Sequence, residues 1–280
     1  MVNQTLYKMQ VSKINEVHLK VETEPSIARE LADYFTFEVP GHRFMPAYKN
    51  KVWDGKIRLF SIATGRIYVG LLGYLKRFCD RNDIEINIEE GVEDVKEIGR
   101  QVVEGFVKSL KPKSKGKSIK LRDYQIDAIE YALKSHRALL VSPTASGKSL
   151  IIYSLVRYYK MMGLKTLILV PTTSLVEQMY GDFADYSTHN GFDVSKYCHR
   201  IYGGKEKTNK ADIVISTWQS IYKYPKKWFE GFDVVYGDEA HLFKAKSLMT
   251  LMDKCTNARF RIGTTAVSYT HLTLPTNREV

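Results

Sequence analysis

The sequence predicts an α/β fold in which a parallel sheet carries helices on both faces, preceded by a small α+β domain. Beyond about residue 120, short apolar runs alternate with helix-like segments, which is typical of parallel strands joined by helical crossovers. One of these runs leads into a loop of small residues and then into a helix-like segment. The N-terminal third instead mixes alternating, strand-like stretches with two short amphipathic segments.

Composition limits the class of protein. The 280 residues are 44 % hydrophobic, enough for two folded domains, and this excludes disorder for most of the chain. Lys and Arg number 42 against 31 Asp and Glu, and the net charge of +11 favours a polyanionic partner. No apolar run has the length of a membrane helix and the start lacks a signal sequence, so we expect a cytoplasmic protein. Cys79, Cys198 and Cys255 are spaced too widely for a disulfide framework or a metal site, which predicts reduced core cysteines.

The N-terminal domain is predicted over residues 1–105. The alternating stretch VSKINEVHLKVE predicts one strand, and SIARELADYFTF predicts a helix with Ser26 as its N-cap. Two further strands, KIRLFSIAT and RIYVGLL, meet at the turn-like TGR. A second helix is predicted in LGYLKRFCDRN.

A basic and aromatic stretch follows the first predicted helix. Asp54 is the one acidic residue of this stretch, which has five basic residues: Arg43, Lys49, Lys51, Lys56 and Arg58. Its aromatic residues are Phe44, Tyr48, Trp53 and Phe60. Because cations neutralise phosphates and aromatic rings stack on bases, the stretch is a candidate nucleic-acid surface. A hairpin with core aromatic residues and solvated cations explains the same pattern.

Residues 106–120 are predicted to be a basic linker. From Gly105 to Arg122 there are six Lys and one Arg but no acidic residue, and the run KPKSKGKS has too little apolar content to fold alone. The lysines either are solvated and keep the linker extended, or contact a phosphate backbone along its length.

A second domain is predicted over residues 121–266. Its strands are predicted in RALLVS, TLILV, ADIVIS, FDVVY and RFRIG, and two of its helices in SLIIYSLVRYYKMM and SLVEQMYGDFADYS.

The run SPTASGKS, residues 142–149, matches a phosphate-binding loop between a strand and a helix. Small residues let successive backbone N–H groups face an anion, and the helix N-terminus adds its positive dipole end. Lys148 would supply a mobile positive charge, and Ser149 a hydroxyl for Mg²⁺. Ser142 stands where the general pattern has Gly, and a Gly-Lys-Ser turn without a ligand is the alternative.

The run GDEAH, residues 237–241, follows the buried-strand run FDVVY. Asp238 would therefore emerge at the carboxyl end of a parallel strand, where α/β sheets bind ligands. An acid there can hold Mg²⁺ through water, and the adjacent Glu239 can orient or deprotonate the water that attacks a γ-phosphate. A helix N-cap is the alternative.

Together with LRDYQ (121–125), VPTTSLVEQ (170–178), IVISTWQSI (213–221) and GTTA (263–266), these two motifs resemble the first RecA-like domain of superfamily 2 helicases and translocases. Six ordered motifs make the resemblance specific. It implies a RecA-like P-loop NTPase fold, ATP and Mg²⁺ as cofactors, and DNA as the partner.

The resemblance also implies a role for each motif residue. Gln125 would bind the adenine edge, with Arg122 and Tyr124 packing beside it. The phosphates would be cradled by Thr144, Ala145, Ser146, Gly147, Lys148 and Ser149. Catalysis would rest on Lys148, Asp238 and Glu239, with Ser149 and Asp238 holding the metal. The nucleotide state would be relayed by His241, Thr264 and Thr265.

Four polar residues would touch the phosphates of one nucleic-acid strand: Thr172, Thr173, Thr217 and Gln219. Hydroxyl and amide groups suit this because they position a backbone without reading bases. Helix capping or turn formation is the alternative for Thr172 and Thr217.

The stretch RFMPAYKNKVWDGKIRLF resembles a phage branch of the superfamily, the recombination helicases, whose small N-terminal domain engages nucleic acid. The resemblance implies action on branched DNA, namely forks, junctions, D-loops and R-loops, and extends to RNA–DNA hybrids. It favours DNA contact by residues 42–60. We expect a monomer.

The chain departs from the family after Ala266. The tail VSYTHLTLPTNREV, residues 267–280, does not continue the pattern and is predicted to be non-native. We find no second RecA-like domain to supply an arginine finger, so we expect weak or absent ATPase and no unwinding from this chain alone. A nucleic-acid-binding module without enzymatic activity, an RNA helicase and the translocating subunit of a restriction system are the alternatives.

Overall fold

A computed structural model describes residues 7–93, 98–143, 146–203, 208, 210–244 and 246–266. The chain divides into two compact units, residues 1–94 and 95–280. No helix in these described ranges is long and apolar enough to cross a membrane.

The first unit is a small α+β domain. Its elements are β1 (Lys8–Lys13), β2 (His18–Glu22), α1 (Pro25–Tyr34), β3 (Thr36–Glu38), α2 (Pro46–Lys49), β4 (Lys56–Arg58), β5 (Phe60–Ser61), β6 (Arg66–Tyr68), α3 (Leu72–Arg81) and β7 (Glu85–Ile88). Five strands form one sheet in the order β5-β6-β2-β1-β7, in which only the β1–β7 pair is parallel. The apolar faces of α1 and α3 share a core with this sheet.

Three sequence predictions for this unit are wrong in detail. The stretch KIRLFSIAT, predicted as one strand, is divided between β4 and β5, which belong to different sheets. The stretch VSKINEVHLKVE, also predicted as one strand, is a hairpin, because Oδ1 of Asn15 accepts hydrogen bonds from the backbone N–H groups of Val17 and His18 and closes a turn. The helix beginning near Ser26 has Glu24 at its N-cap position, without a side-chain cap, and Pro25 as its first residue. The second helix and the turn at Gly65 are where the sequence places them.

The strands β3 and β4 form a separate two-stranded sheet. Between them the chain makes a 3₁₀ turn at His42–Phe44 and the short helix α2. None of residues 36–58 belongs to the core of the unit. We call residues 36–58 the basic module.

The second unit contains the larger sheet. Its elements are α4 (Arg100–Leu110), β8 (Lys113–Ser114), β9 (Lys117–Ser118), α5 (Asp123–Ser135), β10 (Arg137–Val141), α6 (Lys148–Met161), β11 (Thr166–Val170), α7 (Thr173–Ser187), α8 (Val194–Tyr197), β12 (Cys198–Ile201), β13 (Ile213–Thr217), α9 (Trp218–Ile221), α10 (Lys226–Phe229), β14 (Val234–Asp238), α11 (Lys246–Lys254) and β15 (Phe260–Thr265).

Six parallel strands form this sheet in the order β10-β15-β14-β11-β13-β12. Ile168 and Val170 of β11 face the core built with α5, α6 and α7, whereas Leu167 and Leu169 face the core built with α9, α10 and α11. Helices therefore cover both faces, as predicted. The strand β12 was not predicted, because its sequence CHRI contains no apolar run.

The structure differs from the predicted domain boundaries. The division falls between residues 94 and 95 rather than at 105, and the predicted linker, residues 106–120, is ordered within the second unit. Val103, Val107 and Leu110 recur at helical spacing and bury one face of α4, whereas the abundance of lysine favoured a linker. The predicted tail, residues 267–280, lies outside the described residues.

Candidate nucleotide and nucleic-acid sites

Three neighbouring strands bring the chemical motifs to one edge of the larger sheet. The central strand of the three is β15, which pairs Thr264 with Asp238 of β14 and Thr265 with Val141 of β10. The backbone N–H of Ser142 extends this ladder by donating to the carbonyl of Thr265 over 2.9 Å. The phosphate loop, the acidic motif and the two threonines therefore meet at the carboxyl ends of the strands, where α/β sheets bind ligands.

The described part of the phosphate loop has the backbone shape that the motif requires. Gly147 has φ +79°, and a Cβ on it would lie 2.4 Å from Nε2 of Gln125, so only glycine fits without displacement. Lys148 begins α6, and its Nζ lies 3.4 Å from the carbonyl oxygen of Ser142. The hydroxyl of Ser142 bonds that of Ser146, which closes the loop at the position where the general pattern has Gly. Thr144 and Ala145 lie outside the described residues.

The hydroxyl of Ser149 points away from the loop start toward α7. Its Oγ lies 2.9 Å from Oη of Tyr186. Burial raises the pKa of the nearby Asp182 carboxyl, and the Ser149 hydroxyl partly offsets this rise. A hydroxyl that donates one bond keeps lone pairs for a metal. Sequence reasoning missed Tyr186 and Asp182, because no motif connects them to a serine more than thirty residues away.

The start of α5 is tied to the phosphate loop. The carbonyl of Ser146 accepts hydrogen bonds from Oη of Tyr124 at 2.7 Å and from Nε2 of Gln125 at 3.0 Å. The Oε1 of Gln125 accepts the backbone N–H of Arg122 at 2.9 Å, and Gln125 is 4 % exposed. A cleft of about 660 Å³ lies beside this contact. Its lining includes Arg122, Tyr124, Tyr131, Leu139 and Val141.

The acidic motif is joined to the two threonines by side-chain hydrogen bonds. The hydroxyl of Thr264 donates to Oδ1 of Asp238 over 2.9 Å. Nδ1 of His241 lies 3.2 Å from Oε2 of Glu239 and 3.1 Å from Oγ1 of Thr265. Glu239 has φ +53°, a strained value for a residue with a side chain.

Gly263 allows this motif to approach the sheet. A Cβ there would lie 2.9 Å from Cβ of Ala240 and 3.1 Å from Cδ1 of Leu139. In the sequence, Gly263 is recognised only as part of the GTTA motif. The structure shows that a larger residue there would collide with Ala240 and Leu139.

The four residues expected to contact nucleic acid lie at or just after the ends of β11 and β13, which are neighbours in the sheet. Oγ1 of Thr172 accepts the backbone N–H of Leu175 at 3.3 Å, so this threonine does cap α7. Thr173 is exposed. Nε2 of Gln219 donates to the carbonyl of Pro171 over 3.1 Å and joins the two loops. Thr217 is 4 % exposed and its hydroxyl bonds that of Ser220 at 2.7 Å, so it shapes its turn from within.

The basic module exposes both its charge and part of its apolar surface. Phe44 is 81 % exposed and Val52 is 80 % exposed, whereas Phe60, just outside the module, is buried. The hairpin of the alternative interpretation is present as β3 and β4, but Phe44 is not a core residue. A cleft of about 740 Å³ lies in the module. Its lining includes Arg43, Tyr48, Lys49, Lys51 and Trp53.

One cation of the module and its tryptophan have internal partners. The guanidinium of Arg58 forms an ion pair with Asp54 and lowers the pKa of that carboxyl to about 2. Nε1 of Trp53 donates to the carbonyl of Lys56 over 2.9 Å and fixes the indole beside the cleft. The side chain of Lys56 is exposed.

Comparisons with known proteins agree with this geometry. Residues 118–269 match the family described as "Type III restriction enzyme, res subunit", and residues 9–89 match the family described as "DNA helicase UvsW, N-terminal". The ATP-dependent DNA helicase uvsW of Enterobacteria phage T4 is 36 % identical over 251 residues, which is 88 % of this chain and 49 % of that protein. The DNA 3'-5' translocase XPB2 of Sulfurisphaera tokodaii is 33 % identical over 59 % of this chain and 35 % of its own length.

A solved structure extends the agreement to the whole described fold. A crystal structure of the UvsW helicase from Bacteriophage T4 superposes with a TM-score of 0.83 at 34 % identity, covering 92 % of this chain and 92 % of that one. The chain spans about half the length of the uvsW protein that it matches. The larger unit has the RecA-like P-loop NTPase fold, as predicted, and the smaller α+β unit precedes it. The chain belongs to the UvsW family of superfamily 2 helicases.

Proposed function

We propose that this protein is an ATP-dependent DNA helicase or translocase that acts on branched DNA, such as forks, junctions, D-loops and R-loops. The observation that supports it best is the pairing of β10, β15 and β14, which places Lys148 and Asp238 at one sheet edge and joins Asp238 to Thr264. Family membership supports the coarser statement, that of an ATP-dependent DNA helicase.

The residues present fit a nucleotide and a magnesium ion. The positive φ of Gly147 and the start of α6 direct backbone N–H groups into the loop, as phosphate oxygens require. Ser149 offers a hydroxyl oxygen and Asp238 a carboxylate, which are the hard oxygen ligands that Mg²⁺ prefers. The cleft lined by Arg122 and Tyr124 has room for a nucleoside. We assign Ser149 and Asp238 to the metal and Arg122, Tyr124 and Gln125 to the base.

The reaction follows from the positions of these groups. The ammonium of Lys148 moves from the carbonyl of Ser142 to the β- and γ-phosphates and stabilises the charge that develops there. Ser149 and Asp238 would hold Mg²⁺, which would supply neutralisation of the phosphate charge. Glu239 orients the attacking water and accepts its proton. His241, in contact with both Glu239 and Thr265, passes the nucleotide state to β15.

Two surfaces are proposed to bind DNA. Thr172, Thr173 and Gln219 contact the backbone of one strand, with Thr217 shaping the turn beneath them. The basic module contacts the branch, through the cations Arg43, Lys49, Lys51, Lys56 and Arg58 and the aromatic ring of Trp53. Cations that lie among exposed rings suit phosphates and unstacked bases.

Nucleotide binding is the first test. We expect turnover by this chain alone to be slow, because an arginine finger has no counterpart among its six motifs. A fluorescent ATP analogue should bind in Mg²⁺, and Lys148→Ala should abolish that binding. Lys196→Ala removes the same charge from an exposed site on α8 and should leave binding unchanged. Equal binding by both variants would contradict the assigned site.

The substrate is tested with matched nucleic acids. Fluorescence anisotropy should show tighter binding to forked DNA than to blunt duplex DNA of the same length. An RNA fork that binds as tightly as the DNA fork would favour an RNA helicase. Tight fork binding that ignores both ATP and Lys148→Ala would favour a binding module without enzymatic activity.

A further inference from the structure

The proposed function leaves the lysines of the most basic segment of the chain without a role. Residues 105–122 carry six lysines and Arg122 and no acidic residue. In the structure, these residues comprise the end of α4, the β8–β9 hairpin and the approach to α5. All of them lie within the second unit.

The hairpin is held firmly in place. Lys115 and Gly116 both have positive φ, as a two-residue turn between right-twisted strands requires. The backbone N–H of Lys115 donates to both carboxyl oxygens of Asp185 on α7, at 2.9 and 3.0 Å. Nδ2 of Asn190 donates to the carbonyl of Leu110 and fixes the end of α4. The lysines in this segment therefore extend from an ordered backbone.

Four of the lysines surround one cleft of about 710 Å³. They are Lys108, Lys111, Lys113 and Lys120. The floor is apolar and includes Val107, Ile119, Leu121 and Ile126, which pack on the larger core. Because the backbone here is anchored, the four lysine side chains start from fixed positions around the cleft.

The positive charge of the cleft is only partly compensated by its described neighbours. Among the described residues, none of these four lysines forms an ion pair. Of the two carboxylates that line the cleft, Glu104 pairs with Arg100, and Asp123 stands at the start of α5, where the helix dipole favours it. Clustered like charges repel one another, so an external polyanion would stabilise this arrangement.

We propose that this lysine cleft binds the phosphodiester backbone of a nucleic-acid strand, through residues other than those of the basic module and of the loops at the ends of β11 and β13. The inference rests on the proposed function, which makes DNA the partner. No Phe, Tyr or Trp is among the described residues lining the cleft. The cleft therefore contacts phosphates and does not distinguish base sequences. It would hold one strand of the DNA against the second unit.

The hairpin itself supplies a matched control. Its register places Lys113 opposite Ser118, both of which line the cleft, and Lys117 opposite Ser114 on the other face. Lys113→Gln with Lys120→Gln removes two cleft charges. Lys117→Gln with Lys196→Gln removes two charges from exposed sites outside it. Both double variants have the same net charge, so a difference between them reports position.

Salt dependence of fork binding is the measurement. Anisotropy of labelled forked DNA, over about 50 to 200 mM salt, gives the slope of log affinity against log salt concentration. For the cleft variant we expect this slope to flatten by about 0.9 for each duplex phosphate that is no longer neutralised, or by about 0.7 for each phosphate of a single strand. The control variant should keep the slope of the unmodified chain.

The outcomes separate this inference from the proposed function. Fork binding with equal slopes for the two double variants overturns the lysine cleft and leaves the DNA partner standing. Failure of the unmodified chain to bind any fork overturns both. Flattening in the cleft variant alone supports the inference, whether or not the nucleotide experiment succeeds.

Discussion

Thr264 donates a hydrogen bond from its Oγ1 to Oδ1 of Asp238, so a side chain of β15 orients the acid at the end of β14. The two residues are direct partners in the strand register. An aspartate held in this way presents its remaining oxygen lone pairs in a fixed direction. The bond joins the motif that would bind the metal to the motif that would sense the nucleotide.

Thr264→Val should weaken Mg²⁺-dependent nucleotide binding by about 10- to 100-fold, the usual effect of removing a group that orients a metal ligand. A magnesium titration with a fluorescent nucleotide measures it. The control is Thr166→Val on β11, whose buried hydroxyl has no hydrogen-bond partner among the described residues. That variant should bind nucleotide normally, with a free energy of unfolding unchanged or higher by up to about 1 kcal/mol. Equal losses in both variants would contradict the role of Thr264.

Gly147→Ala should abolish nucleotide binding and destabilise the second unit. The left-handed backbone costs a residue with a Cβ about 1 to 2 kcal/mol, and the new methyl group must displace the amide of Gln125. Nucleotide titration and thermal unfolding measure the two effects. Gly181→Ala, in the middle of α7 with open space around it, should raise the free energy of unfolding by up to about 1 kcal/mol. A stable Gly147→Ala protein that binds nucleotide would contradict the loop geometry.

The sequence was sufficient for the larger sheet because its strands are continuous apolar runs, such as TLILV in β11. It was insufficient where polar residues form strands or lysine-rich residues form a helix. The strand β12 contains His199 and Arg200, and it is defined only by pairing with β13. The helix α4 buries three apolar residues beneath a charged surface, and charge counting alone does not reveal such a face. Pairing with a distant strand defines β12, and burial of an apolar face defines α4.

Phe44→Ala should lower the affinity for forked DNA by about 5-fold or more without changing the midpoint of thermal unfolding. A base stacked on an aromatic ring contributes about 1 to 3 kcal/mol, and the exposed Phe44 side chain adds little to the folded core. Anisotropy and thermal denaturation measure the two quantities. Ile62→Ala, an exposed apolar residue in the turn after β5, is the control and should bind normally. A fall in both variants alike would show that exposed apolar area, and not the ring, is responsible.

The three thiols should react only after unfolding. Cys79, Cys198 and Cys255 are buried and free, as predicted. Burial raises the pKa of Cys79 to about 11 and those of Cys198 and Cys255 to about 12. Because the thiolate is the reactive form, alkylation in mildly alkaline buffer should be negligible for the folded protein and complete in denaturant. Mass spectrometry counts the modified thiols, and rapid labelling of any one in the folded chain would contradict its burial.

The candidate residues of the nucleotide site lie in short motifs that the sequence shows, but the residues that contact them do not. Lys148 and Asp238 stand out because short motifs carry them. Two such contacts form only when distant segments fold together. Tyr186 bonds Ser149, and Ala240 lies so close to Gly263 that only glycine fits there. The fixed backbone of the lysine cleft is likewise a product of tertiary contacts, through Asp185 and Asn190.

The strand β15 forms parallel ladders with β10 on one side and with β14 on the other. In any strand, a slip of one residue turns every side chain to the opposite face. An insertion or deletion of one residue within Phe260–Thr265 would therefore move Thr264 away from Asp238 and Thr265 away from His241 at the same time. The loops at the amino ends of these strands have no such double constraint. We therefore expect a change of length in those loops to be tolerated better than one within β15, where it would break two side-chain contacts at once.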